Sequence, residues 1–111
     1  MTDKLNQKKC QPCEGLSDKL SQQEAQSMLK ALNQWELDAN LKFIKKSYKF
    51  KNFYHTMAFV NAVAFIANQE NHHPDIKCGY NYCDLVLTTH AIDGLSENDY
   101  ILAAKIDKLI N

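Results

Sequence analysis

The side chains best suited to chemistry sit in two short stretches, Glu70-Asn71-His72-His73-Pro74-Asp75 and, about one strand further on, Thr88-Thr89-His90. Three of the chain's four histidines fall there. Imidazole has an unperturbed pKa of roughly 6.5, so it can give or take a proton near neutrality. Two adjacent imidazoles held by a proline, plus a third that a returning strand can bring alongside, form a candidate proton-transfer site. Pro74 disfavours the α region for His73. A helix running up to this point is therefore expected to stop near Asn71, leaving both histidines on a helix-to-strand turn. Successive side chains on extended backbone point to different sides, so His72 and His73 are not expected to reach one substrate atom together. Taken alone, the pair also fits two surface histidines in an ordinary loop.

The other chemical candidates are cysteines. Cys10-Gln11-Pro12-Cys13 has the spacing of half a zinc site or of a redox dithiol. The redox reading lacks a thioredoxin-like βαβ context. The zinc reading needs a second ligand pair, and Cys78 and Cys83 are separated by four residues in a strand-like setting. No complete metal-ligand set of the usual spacing is present, so no metal is expected. Residues 1–20 are polar and interrupted by Pro12 and Gly15, which suggests a flexible arm ahead of a single domain spanning 21–111.

Several elements must position the histidines. Ser21-Gln22-Gln23-Glu24 matches a capping box and predicts a helix from about Gln22 to Asn33, with Ala25, Met28, Leu29 and Leu32 on one stripe. Trp35 to Asn40 and Leu41 to Phe50 read as strands. Lysines 42, 45, 46 and 49, interleaved with aromatics, read as a solvated outer sheet face, although the same mixture suits single-stranded nucleic acid. Asn52 can cap a helix from Phe53 to about Glu70, whose apolar arc is wide enough to serve a sheet and a second subunit. Ile76 to Tyr80 and Tyr82 to Thr89 read as a hairpin, and Ser96-Glu97-Asn98-Asp99 caps a last helix. The order α-β-β-α-β-β-α, without a βαβ repeat, predicts an α+β fold: a four-stranded antiparallel sheet with three helices on one face.

Composition narrows the functional classes. The 111 residues are enough for one core but not two. Hydrophobic residues make up 45% and charged residues 23%, ordinary for a globular protein. Thirteen basic and thirteen acidic side chains cancel, so net charge offers no footprint for nucleic acid. The apolar run Met57 to Ala67 is too short to span a bilayer, so no membrane association is expected. The first nine residues contain no apolar signal core, which makes a cytoplasmic location with reduced cysteines the expectation.

With these residues in place, the chain closely resembles the pterin-4a-carbinolamine dehydratases. The resemblance rests on Asn71-His72-His73-Pro74-Asp75, an aromatic at Tyr80 or Tyr82, Thr88-Thr89-His90, and Gly94-Leu95-Ser96-Glu97-Asn98-Asp99. Phe50-Lys51-Asn52-Phe53, the tail from Ile101 to Asp107 and the Lys9 to Gly15 arm look like the bacterial branch. The resemblance implies dehydration of 4a-hydroxytetrahydrobiopterin or a related pterin, by proton transfer without a metal or other cofactor, recycling the pterin spent by aromatic amino-acid hydroxylases. Carried over by position, it makes His72, His73 and His90 the catalytic group, with Trp35, Asp75 and Asp99 toward the substrate. As plain structural residues, Trp35 is a core side chain and Asp99 a capping carboxylate. The resemblance also implies a homodimer or homotetramer, and some animal relatives stabilise a homeodomain factor's dimer, so an interaction module is a second reading. A small Cys/His metal protein is a third. One position departs: four residues before His72, where the family usually carries a charge, stands Asn68.

Overall fold

The computed structural model describes residues 2–10 and 19–110. Its first long-range feature is a helix that starts as its sequence dictates. Ser21 opens α1 (Gln22–Leu29) with a complete capping box: Ser21 Oγ accepts from the Glu24 N–H at 3.1 Å, and Glu24 Oε1 accepts from the Ser21 N–H at 2.9 Å. The helix stops earlier than the predicted Asn33. Ala31 and Leu32 bond three residues back rather than four, and Gln34 turns left-handed at φ 66°. Leu32 nevertheless packs against the core.

The sheet contains β1 (Glu36–Leu37), β2 (Ile44–Lys49), β3 (Asp75–Cys78) and β4 (Tyr82–Leu87), all antiparallel, in the order β1-β2-β4-β3. The first two strands are shorter than predicted, and Asp38 is the reason. Its carbonyl accepts from Leu41 N–H, its N–H bonds the Phe43 carbonyl, and its carboxylate accepts from Lys42 N–H at 3.1 Å. Residues 39–42 are thereby folded into a loop, with Leu41 at φ 60°.

Register places Ile44 opposite Leu87 and Tyr48 opposite Cys83 on the helix-covered face. Lys45, Ser47 and Lys49 face outward opposite Val86, Asp84 and Tyr82. Lys46 is a correction to the outer-face reading. It lies on the inner side, its side chain only 10% exposed, paired with Asp107.

Helix α2 (Phe53–Glu70) starts at Asn52, whose Oδ1 accepts from the His55 N–H at 2.9 Å. Its buried face is Thr56, Phe59, Val63, Ala67 and Glu70, while Tyr54 and Phe65 point to solvent. The hairpin of β3 and β4 closes through Gly79 N–H to the Tyr82 carbonyl at 3.0 Å. A Cβ on Gly79 would meet the Tyr82 ring at 2.3 Å, so a larger residue there must displace that ring. Helix α3 (Glu97–Lys108) contributes Tyr100, Ile101, Leu102 and Ile106 to the core, and the Tyr100 hydroxyl donates to the Ala25 carbonyl at 2.9 Å. The α+β architecture, three helices and a four-stranded antiparallel sheet, is as expected from the order of elements.

Of the N-terminal arm, Thr2–Gln7 forms 3-10 turns and Leu5 is buried in the core. Cys13 lies outside the described residues. Cys10, Cys78 and Cys83 are free thiols. Among the described residues, no helix is long and apolar enough to cross a membrane.

Candidate active site

His72 is placed by the way α2 ends. Asn71 takes the left-handed conformation at φ 53°, and the His72 N–H reaches back to the Ala67 carbonyl at 3.2 Å. That is a Schellman ending, with asparagine in the place glycine usually takes. It stops the helix at the predicted residue and directs the His72 ring inward, where only 5% of the residue is exposed.

The ring meets Asp99 in the first turn of α3, with Nε2 2.7 Å from Oδ1. Asp99 Oδ2 accepts from the Thr89 hydroxyl at 2.8 Å and from the Ser96 N–H at 3.0 Å. The Ser96 bond is half of the α3 capping box, so Asp99 is both a capping carboxylate and the histidine's partner, one role per oxygen. Its charge also sits at the positive end of the α3 dipole. Thr89 Oγ1 and Ser96 Oγ are 2.7 Å apart. Because Thr89 donates to Asp99, Ser96 must donate to Thr89.

This network fixes the ring's proton. A carboxylate only accepts, so His72 carries hydrogen on Nε2 toward Asp99, and Nδ1 is the nitrogen left for chemistry. Nδ1 makes no hydrogen bond among the described residues. No buried side-chain nitrogen or oxygen there lacks a partner, so Nδ1 must be reachable from the surface.

His73 diverges from His72 as expected and is exposed, with Nε2 3.2 Å from Asn68 Oδ1. The departing Asn68 thus touches His73, not His72. His90 is exposed and begins a 3-10 turn, His90–Ile92, rather than ending a strand. Strand β4 stops at Leu87 because Thr89 pairs its backbone with Gly94, bracketing the turn. His90 therefore follows directly on Thr89, whose hydroxyl holds Asp99. Asp75 opens β3, exposed opposite Val86.

Trp35 is not beside the histidines. Its Nε1 donates to Asp107 at 3.1 Å, and its ring meets Tyr48 edge-on at 6.4 Å. Asp107 is eight residues beyond Asp99 on α3, about 12 Å along the helix. Its Oδ1 also accepts from the Tyr48 hydroxyl at 2.6 Å and from Lys46 Nζ at 2.8 Å. Thr89 and Ser96 are the site residues the motif reading did not single out. The signal available was the capping box, which already aims the carboxylate of Asp99 back over Ser96. Among the described residues, no three His, Cys, Asp or Glu side chains converge as metal ligands.

The sequence profile of the family described as pterin 4 alpha carbinolamine dehydratase matches residues 18–109. A Legionella pneumophila protein provisionally named as such a dehydratase is 52% identical, covering 99% of this chain and 98% of its own. A Nitrosospira multiformis protein of the same provisional name is 55% identical over 96% of this chain and 93% of its own. Among solved structures, a Brucella melitensis protein described as a transcriptional coactivator/pterin dehydratase superposes with TM-score 0.80 at 31% identity, covering 85% of this chain and 100% of that one. A pterin dehydratase-like protein described as a RuBisCO assembly factor superposes with TM-score 0.61 at 26% identity, covering 69% and 89%. Fold and sequence define one class, an α+β domain with its histidines at the joint between a helix and the sheet. The chain belongs to the pterin-4a-carbinolamine dehydratase family.

Proposed function

We propose that the protein dehydrates a 4a-hydroxytetrahydropterin, 4a-hydroxytetrahydrobiopterin or a close relative, to the quinonoid dihydropterin. The C4a–O bond breaks, the hydroxyl leaves as water with a proton from an acid, and the N5 proton passes to a base as the N5=C4a double bond forms. No electrons are exchanged. In this reading His72 is the base, taking the N5 proton on Nδ1 while Asp99 stabilises the imidazolium that results. His90 is the acid toward the departing hydroxyl. His73, Asp75 and Asn68 bind or orient the pterin, and Trp35 supports the far end of α3. The reaction serves the recycling of tetrahydropterin after aromatic amino-acid hydroxylation. The observation that carries the proposal is the buried His72–Asp99 pair, at 2.7 Å, with one imidazole nitrogen left open.

The test is the decay of a chemically generated 4a-hydroxypterin, followed with and without the protein. Acceleration proportional to protein concentration is expected, and an uncatalysed rate would refute the reading. An interaction role on the same fold is the second reading, favoured by the exposed Tyr54 (78%) and Phe65 (66%) of α2. These side chains also support a homodimer or homotetramer, and a monomeric mass by light scattering at micromolar concentration would exclude that assembly.

A further inference from the structure

Two residues before His72 stands a buried carboxylate that the proposed reaction does not use. Glu70 ends α2 on its buried face, 7% exposed. An acidic group in a helix's last turn opposes the dipole, and a buried carboxylate is costly without partners. Glu70 has them. Oε2 accepts from Lys105 Nζ at 3.0 Å, and Oε1 accepts from the backbone N–H of Cys10 at 2.9 Å, with Lys9 Nζ 3.9 Å from Oε2. Burial pushes its pKa up, but the Cys10 N–H and Lys105 outweigh burial and hold the carboxyl below its ordinary value.

These contacts converge on the helix that carries Asp99. Lys105 lies on α3, so the end of α2 is fastened to α3 twice, by His72–Asp99 and by Glu70–Lys105. The segment that reaches Glu70 is fastened there too. Cys10 Sγ lies 3.6 Å from the Asn98 carbonyl, next to Asp99, and Lys8 Nζ pairs with Glu97 at 2.6 Å. Leu5 anchors the same segment in the core.

We propose that Glu70 is a positioning residue for dehydration, and that residues 5–10 brace it, together holding His72 in register with Asp99. The inference rests on the acid–base reading of His72. The His72 backbone is tied to α2 and its ring to α3, so the spacing of the two helices sets the 2.7 Å contact. Glu70 holds that spacing through Lys105, six residues beyond Asp99 on α3. Its contact to the brace is the Cys10 amide rather than the thiol.

Glu70→Gln in the full chain tests this, because it keeps an oxygen for the Cys10 amide and removes the charge facing Lys105. The expected result is a kcat lowered on the order of 10-fold by slight misplacement of the reacting group, with KM changed less than twofold. The hydrogen-bonded Nε2 proton of His72 should broaden or shift in the nitrogen-edited spectrum. In a His72→Ala background, Glu70→Gln should cost no further kcat. Lys105→Met should reproduce the single variant, and Glu70→Asp should fall between it and wild type. Wild-type kcat with an unchanged His72 resonance, whatever the melting temperature does, would overturn the proposal. Losses that multiply in the double variant would overturn it equally. The resonance needs no turnover. An inactive wild-type protein would therefore refute the dehydratase reading while the spectrum still decided for or against Glu70.

Discussion

Helix α3 carries one enclosed aspartate near each end, and the two are put to different use. Asp107 collects Trp35, Tyr48 and Lys46, an indole, a phenol and an ammonium. All three serve Asp107 as hydrogen-bond donors, and burial followed by the Asp107 carboxylate pushes the Tyr48 phenol above its ordinary value. Asp99 collects Thr89, the Ser96 amide and His72. One of those donors is an imidazole, and it keeps a second nitrogen toward the surface. A similar carboxylate is therefore a fastening at one end and half of an acid–base device at the other. What separates them is whether a donor keeps a second polar atom that can still meet a substrate.

The sharpest way to break this comparison is to remove the imidazoles. His72→Ala and His90→Ala should each lower kcat by about 10²- to 10⁴-fold with the fold retained. The double variant should lose less than the product of the two, since the groups act as a unit. His73→Ala should mainly raise KM. Full kcat for His90→Ala between pH 6 and 9 would mean that a water or a pterin nitrogen supplies the second proton.

A matched pair of substitutions sharpens the comparison. Asp99→Asn puts an amide where the His72 Nε2 proton needs an acceptor, so kcat should fall by about 10²-fold or more. Asp107→Asn should instead cost stability, about 3 kcal/mol for breaking a mostly buried pair, and leave turnover per folded molecule unchanged. Denaturant titration and the dehydration assay, run on both variants, separate the two outcomes. Equal losses of turnover would erase the distinction.

The next effect is one of pH. A phenol pushed up in the folded state stabilises that state fully below its unfolded value of about 10, and the contribution is lost as pH rises beyond it. The thiols act in the same direction: burial pushes Cys83 up to about 11, and burial with the nearby Glu70 pushes Cys10 up to about 12. Unfolding free energy by urea should therefore decline from about pH 9 upward, and Tyr48→Phe should make that decline shallower. The smallest expected effect is that of the arm's thiols. Cys10→Ser with Cys13→Ser should leave turnover unchanged, since Glu70 is met by the Cys10 amide. A large loss on assay would give the sulfurs a role.

Local rules made much of this legible. Both capping boxes, the Asn52 cap and the stop at Asn71 were readable because each is decided within a few residues. The divergence of His72 and His73 followed from the backbone that Pro74 imposes. What local pattern could not reveal was which charged groups turn inward. Lys46 reads as an outer-face lysine, and nothing in the residues around Glu70 turns its carboxylate inward. Each is buried because its partner, Asp107 or Lys105, arrives from an element 61 or 35 residues away. Asp38 escaped notice for the opposite reason, a single side chain capturing one amide and converting predicted strand into loop. Trp35 likewise meets a distant partner, donating from Nε1 to Asp107.

The central pairing of the sheet bears on how fast the protein folds. Strands β2 and β4 are neighbours, yet residues 50–81, the whole of α2 and β3, lie between them, and the Phe50 N–H meets the Asn81 carbonyl at 2.8 Å where that excursion closes. The β1–β2 and β3–β4 hairpins need only short loops and can form in microseconds, whereas their union must close a long loop before any contact repays it. Joining the hairpins should then be the slow step. Truncations at Ile44 and Leu87, opposite each other across that seam, should slow refolding, while truncations at Ile76 in the outer hairpin should chiefly speed unfolding. Stopped-flow chevrons on the three variants would tell, and the seam they probe ends two residues short of Thr89, so the acid–base site is completed only after the slow step is over.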